Sequence, residues 1–309
     1  MSTTLAASAR PGGPGGLRRG QLGILAVLLG LAALAWLVTD LRMAGMDAGP
    51  GTDPGAFGFY ITTWVVMMAA MMFPSIGPMV LTFGALQRGR SAGQRAPMGL
   101  FVVGYLLVWT LSGLLAYGAL KAGRAADIGW LSWDRGGRWL VAGVLVVAAL
   151  YEVTPWKQAC LVRCRSPLGF LVGRWRDGRS GALQMGLEHG TWCLGCCWLL
   201  MVVLFALGAM SLTWMIVVTL LISAEKLVPW RSVGVAFVAA VLSVLAVWIL
   251  AAPRDLPGLT IPGSPAAMRA MHSMGGSSSM GGSSSMGGSK AMGGSKAMGG
   301  SKAMGGSMH

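Results

Sequence analysis

Apolar residues run through this chain in long blocks rather than as the single stripe of a surface helix. Seven blocks stand out, at roughly residues 21–39, 57–84, 98–120, 138–153, 181–207, 210–225 and 232–251. A helix needs about 20 apolar residues to cross the hydrocarbon layer. The first, third, fifth and seventh blocks meet that length. The second is longer and holds Pro74, so a kink or tilt is expected there. The fourth is short unless it continues through Tyr151, Glu152 and Pro155. The fifth and sixth are joined so closely that they predict a tight hairpin. The fold expected is all-α, a polytopic membrane helix bundle of about seven transmembrane helices spanning residues 21–252. A basic, disordered N-terminus (1–20) precedes it, and a disordered Met/Gly/Ser-rich tail (253–309) follows.

Composition supports a membrane protein: 54% of residues are hydrophobic and 11% charged, against roughly a quarter charged in a soluble domain. The formal charge of +14 does not point to nucleic acid, because the basic residues sit between apolar blocks, where they set orientation. Arg10, Arg18 and Arg19 lie before the first block, and Arg88, Arg90 and Arg95 after the second. Lys157, Arg163, Arg165, Arg174, Arg176 and Arg179 lie after the fourth, and Lys226 and Arg231 after the sixth. All fall on one side. The loop after the first block sets Arg42 against Asp40, Asp47 and Asp53. The positive-inside rule then makes the N-terminus cytoplasmic and, after seven crossings, the tail periplasmic, in the inner membrane of a bacterium. The first block also resembles a signal peptide, but its length and the lack of a clear cleavage site favour a retained helix.

The chemistry these blocks carry is soft. Met68, Met71 and Met72 share a face of the second block with Ser75 and Met79. In the fifth, Met185, His189, Cys193 and Cys196 fall on one narrow face, with Cys197 and Met201 on its shoulder. Thiolate, imidazole and thioether together select Cu(I) among common biological metals. Counting from the outer ends sets Met68 level with Cys193, so the two faces are expected to close on one ion. The alternatives are methionine as a flexible core filler and cysteine as a small buried hydrophobe. Cys160 and Cys164, four residues apart in a basic segment, read either as a cytosolic pair that receives Cu(I) or as ordinary thiols. Glu225 and Lys226 read as a helix-end ion pair or as part of a proton path. Glu188 is expected to pair with Lys226 or an arginine. Nine methionines punctuate the tail from Met268 to Met308, and Met271, His272 and Met274 form its densest patch. Spaced thioethers on a flexible chain raise the local sulfur concentration around a soft ion.

Three stretches carry a family resemblance: WVVMMAAMMFPSIGPM, TPWKQACLVRCRSPLGF, and GLEHGTWCLGCCWLLMVVLFALGAMSLTWM with EKLVP following. Over roughly residues 60–250 the chain resembles a bacterial family of integral membrane proteins described as predicted metal-binding. The resemblance implies a metal and, by position, makes Met68, Met71, Met72, Cys160, Cys164, His189, Cys193, Cys196 and Cys197 candidate ligands. The Met-rich tail lies outside the family pattern and favours copper.

Taken together, the sequence describes a Cu(I)-binding protein of the bilayer that transports or delivers copper, working with a periplasmic copper chaperone or a copper enzyme. Two other roles fit the same residues. One is a thiol–disulfide oxidoreductase using the C-x-x-C spacing with a membrane quinone. The other is an accessory or assembly subunit of a copper-dependent membrane enzyme. No P-loop occurs in the chain, and no catalytic residue is assigned.

Overall fold

The computed structural model describes residues 19–44, 56–88, 90–91, 94–125, 136–208, 211–253 and scattered positions from 256 to 272. Most of the two segments expected to be disordered, and the tail methionines Met271 and Met274 with them, fall outside those residues. Among the described residues the regular structure is helical: α1 (Arg19–Met43), α2 (Phe57–Gln87), α3 (Met98–Ala125), α4 (Arg138–Glu152), α5 (Pro155–Arg165), α6 (Pro167–Arg174), α7 (Gly178–Gly208), α8 (Leu212–Leu227) and α9 (Arg231–Ala251). All seven predicted blocks are helices. Five of them, α1, α2, α3, α7 and α9, are long and apolar enough to cross a membrane, and the bent pair α4–α5 makes a sixth candidate.

The predicted sixth crossing differs. Helix α8 has 16 residues, about 24 Å at 1.5 Å per residue, short of a hydrocarbon core of about 30 Å. The segment expected to be a loop after the fourth block is instead two short helices. Thr154 accepts a hydrogen bond from the Lys157 backbone N–H and Pro155 takes the first helical position, so α5 starts within two residues of α4, at a bend of 66°. Pro167 then ends α5 and opens α6. In α2, Pro74 and Pro78 both lie inside a continuous helix.

The outer surface reads as a lipid-facing belt. Leu29, Leu34 and Leu41 of α1, Leu107, Leu111 and Leu115 of α3, and Phe237, Val244 and Val247 of α9 are all exposed. A bilayer accepts such a surface, whereas backbone and polar groups must be satisfied inside the protein. The interior shows this in three charged residues. Lys157 of α5 forms ion pairs with Glu152 of α4 and Glu225 of α8, the latter at 2.7 Å, and all three are buried. Arg165, at the end of α5, donates to the backbone oxygens of Glu225, Val228 and Pro229. Two basic residues of α5 thereby hold the C-terminal end of α8, whose last carbonyls have no helical partner.

Two carboxylates share one ammonium in this triad, so its members are not equivalent. Lys157→Met leaves two buried carboxylates facing each other and is expected to lower stability by about 3 kcal/mol or more. Glu152→Gln leaves a one-to-one pair and costs less. Thermal unfolding in detergent checks the ranking, and equal losses would contradict it.

Candidate metal centre

Helix α7 carries the centre of the site, and α3 fixes its position. Gly104 of α3 and Gly186 of α7 lie where the two backbones meet: a Cβ on Gly186 would collide with the Phe101 carbonyl, and one on Gly104 with the Leu183 carbonyl. Gly190, one turn on, leaves only 3.0 Å to Val108 and 3.1 Å to the Tyr105 carbonyl. Small residues let membrane helices approach this closely. The approach brings Tyr105 across onto Cys193, with the phenol oxygen 3.0 Å from the sulfur in a shared hydrogen bond.

On α7 itself, Cys193, Cys196 and Cys197 are buried, and their sulfurs lie within 4.8 Å of one another. The Cys196 and Cys197 thiols donate to the Cys193 carbonyl, at 3.1 and 3.0 Å. The Cys193 sulfur instead accepts from the Lys226 ammonium of α8 at 2.9 Å. That ammonium also reaches the Ser75 hydroxyl of α2 at 3.4 Å. Helix α5 adds a fourth sulfur, with Cys164 Sγ 3.9 Å from Cys196 Sγ. It also seats Cys160 against Gly195, where a Cβ would come within 2.9 Å of the sulfur. Tyr151 of α4 closes this side by donating to the Gly195 carbonyl at 2.7 Å. All five cysteines are free thiols.

His189 sits one turn before Cys193 and is buried among Phe101, Tyr105 and Phe170, with ring centroids 5.5 to 6.0 Å away. Its Nδ1 has no hydrogen-bond partner among the described residues. An unpaired ring nitrogen in an apolar cage is costly unless a ligand completes it. Met185 is buried one turn further back.

Several expectations change once these contacts are known. Glu225 and Lys226 do not pair with each other, because successive helical positions point about 100° apart: Glu225 turns to Lys157, Lys226 to Cys193 and Ser75. Glu188 pairs with arginines, as one of its expected alternatives had it: Arg174 and Arg176 lie at 3.0 and 3.2 Å. Cys160 and Cys164 lie against the α7 cysteines and are not a separate loop pair. Met68, Met71 and Met72 are fully buried, but α2 meets α7 in a different register. Trp64 stacks on Phe205 at 5.4 Å, and one ammonium reaches both Ser75 and Cys193. These are the contacts that relate α2 to α7, and neither is made by a methionine. His272 is exposed and outside this cluster. Tyr105 and Lys226 are the site residues that the sequence reading missed. The spacing of Gly186 and Gly190 on α7 was the available signal for Tyr105; nothing local marked which way Lys226 would turn.

As a donor set, the three thiols of α7, with the Cys164 thiol 3.9 Å from Cys196, suit a soft metal ion. Residues 61–249 match the model of the family described as PpoB2, copper chaperone, and the chain belongs to that family. No curated protein and no solved structure matches it. The match covers α2 through α9 and includes every cysteine.

The close contact between α3 and α7 has a direct test. Gly186→Val forces a branched side chain against the Phe101 carbonyl and is expected to cost about 2 kcal/mol or more. It also loosens Tyr105 from Cys193, which a faster reaction of that thiol with an alkylating reagent would report. Gly118→Ala, with nothing within 4 Å of the added carbon, is the control. A Gly186→Val protein as stable as wild type would contradict the packing.

Proposed function

We propose that this member of the copper-chaperone family holds Cu(I) inside the bilayer and passes it between the periplasm and a membrane-bound or periplasmic acceptor. The observation that carries the reading is the convergence of Cys164 from α5 with Cys193, Cys196 and Cys197 from α7, in a buried setting beside the unpaired His189 Nδ1. Soft sulfur ligands retain Cu(I) and discriminate against hard cations such as Mg²⁺ and Ca²⁺. Met68, Met71 and Met72, fully buried on α2, would offer neutral thioethers as further stations for the ion. An ion leaving a thiolate site more readily enters a weaker one nearby, and conduction along a path needs sites that release as well as bind.

The wider arrangement follows from orientation. With the basic segments cytoplasmic in a bacterial inner membrane, and with α8, short as it is, completing a seventh crossing in a locally thinned bilayer, the Met-rich tail is periplasmic. There Met271, His272 and Met274 collect Cu(I) and present it to the bundle. Thioethers need no deprotonation, so collection continues in a mildly acidic compartment. The ion's recipient is a periplasmic copper chaperone or a copper enzyme.

A second reading has one observation in its favour. Cys164 and Cys196 are 3.9 Å apart sulfur to sulfur, close enough that oxidation would need only a small adjustment to link α5 to α7. In that reading the pair performs thiol–disulfide exchange, with electrons passed to a membrane quinone.

Anaerobic Cu(I) titration of the full chain in detergent separates the two. A chelator strong enough to strip thioether-only sites serves as competitor. Copper binding is expected to survive in wild type and to weaken by more than about 100-fold in Cys193→Ser, since loss of an outer-shell partner alone costs 10- to 100-fold. Copper should also shield the thiols from alkylation. A protein that retains no copper, and whose Cys164–Cys196 pair cycles with oxidant, would establish the redox reading instead.

A further inference from the structure

Lys226 has no place in the ligand set, yet its ammonium makes the shortest contact of any side chain with the cysteine cluster, 2.9 Å from Cys193 Sγ. Its neighbour Glu225 does not neutralise it, because that carboxylate is held by Lys157. Ser75, its other partner, is uncharged and lies at 3.4 Å. The charge of Lys226 is therefore left for the sulfur cluster to balance.

Loading the site changes that balance in a defined way. Thiols bind metal as thiolates, each giving up its proton to solvent. A monovalent ion between two thiolates carries one net negative charge, and the Lys226 ammonium cancels it. A third thiolate would leave one negative charge buried without a partner, and a divalent ion between the same two thiolates would leave one positive charge. Either is strongly unfavourable in a low-dielectric interior. The unloaded geometry already separates the sulfurs into two kinds. Cys193 accepts from the ammonium, while Cys196 and Cys197 donate to the Cys193 carbonyl. A thiol that is not a ligand thus keeps a hydrogen bond. The α7 sulfurs, all within 4.8 Å of one another, are near enough for two of them to share one ion, since a linear pair with metal–sulfur bonds of about 2.3 Å spans roughly 4.6 Å.

We infer that Lys226 is the fixed counter-charge of the metal centre and limits it to one monovalent soft cation held by two thiolates, one of them Cys193. This deepens the copper reading above and rests on it. Lys226 is a positioning residue, acting through the charge of the complex and not as a ligand. It also extends the class of ion accepted to Ag(I), which has the same charge and softness.

The test uses the full-length protein in detergent, without oxygen, with Cu(I) poised against a chelator that strips thioether-only sites. Lys226→Met, similar in length and uncharged, is expected to weaken Cu(I) binding by about 100-fold. Lys226→Arg, which keeps the charge, is expected to stay within about tenfold of wild type. X-ray absorption at the copper edge of the loaded wild type should show two sulfur neighbours, a readout that does not depend on any variant folding. Wild-type affinity in Lys226→Met, equal losses in Met and Arg variants, or three or more sulfurs around copper would each overturn the assignment. A wild-type protein that holds no copper against the chelator would instead overturn the copper reading itself, and this inference with it.

Discussion

Charged and polar groups inside this bundle must find their partners within the protein, because a bilayer supplies none. That constraint organises everything between α4 and α8. Lys157 lies between Glu152 and Glu225, Arg165 takes the free carbonyls at the end of α8, and Lys226 turns to Cys193 and Ser75. The contacts of Lys157 and Arg165 with α8, and of Lys226 with Ser75 of α2, join helices that are not neighbours in sequence. Their combined effect is to fold α5 inward, so that a polar, cysteine-bearing segment lies beside α7 and not in solvent. The cysteine cluster is thus assembled by the same interactions that satisfy the buried charges.

Helix length contributes to this arrangement. Helix α8 is shorter than a usual membrane crossing, and α4 breaks after Glu152. The two incomplete helices leave space that α5 occupies. At the other side of α7, glycines at 104, 186 and 190 permit α3 to approach until Tyr105 touches Cys193. The cysteine cluster therefore has a rigid wall supplied by backbone contact and an opposite wall held by ion pairs. A site for a soft ion gains from such a frame, because ligands fixed before binding lose less freedom when the ion arrives.

Much of this was legible in the sequence, for physical reasons. Apolar block lengths predicted the helices, since spanning a bilayer imposes a length that few other structures share. The helical repeat placed His189, Cys193 and Cys196 on one face, and all three are buried together. What the sequence did not disclose were the contacts made across long separations. Cys164 reaches Cys196 over 32 positions and Lys226 reaches Cys193 over 33, and no local period reports such pairings. The α5 segment was misread as a loop because its basic residues resemble a cytoplasmic connection. Lys157 and Arg165 are instead turned inward, towards carboxylates and carbonyls that lie far along the chain.

The central claim is that α5 and α7 supply sulfur to one site, and a double-mutant cycle tests it most directly. Cu(I) affinity would be measured for the wild type, Cys164→Ala, Cys193→Ala and the double variant, in the full chain against a strong chelator. One shared site predicts a strongly non-additive result, with the double variant little worse than the more damaging single change. Losses that simply add would mean that the two cysteines act independently and that the folded-in α5 has no part in holding the metal.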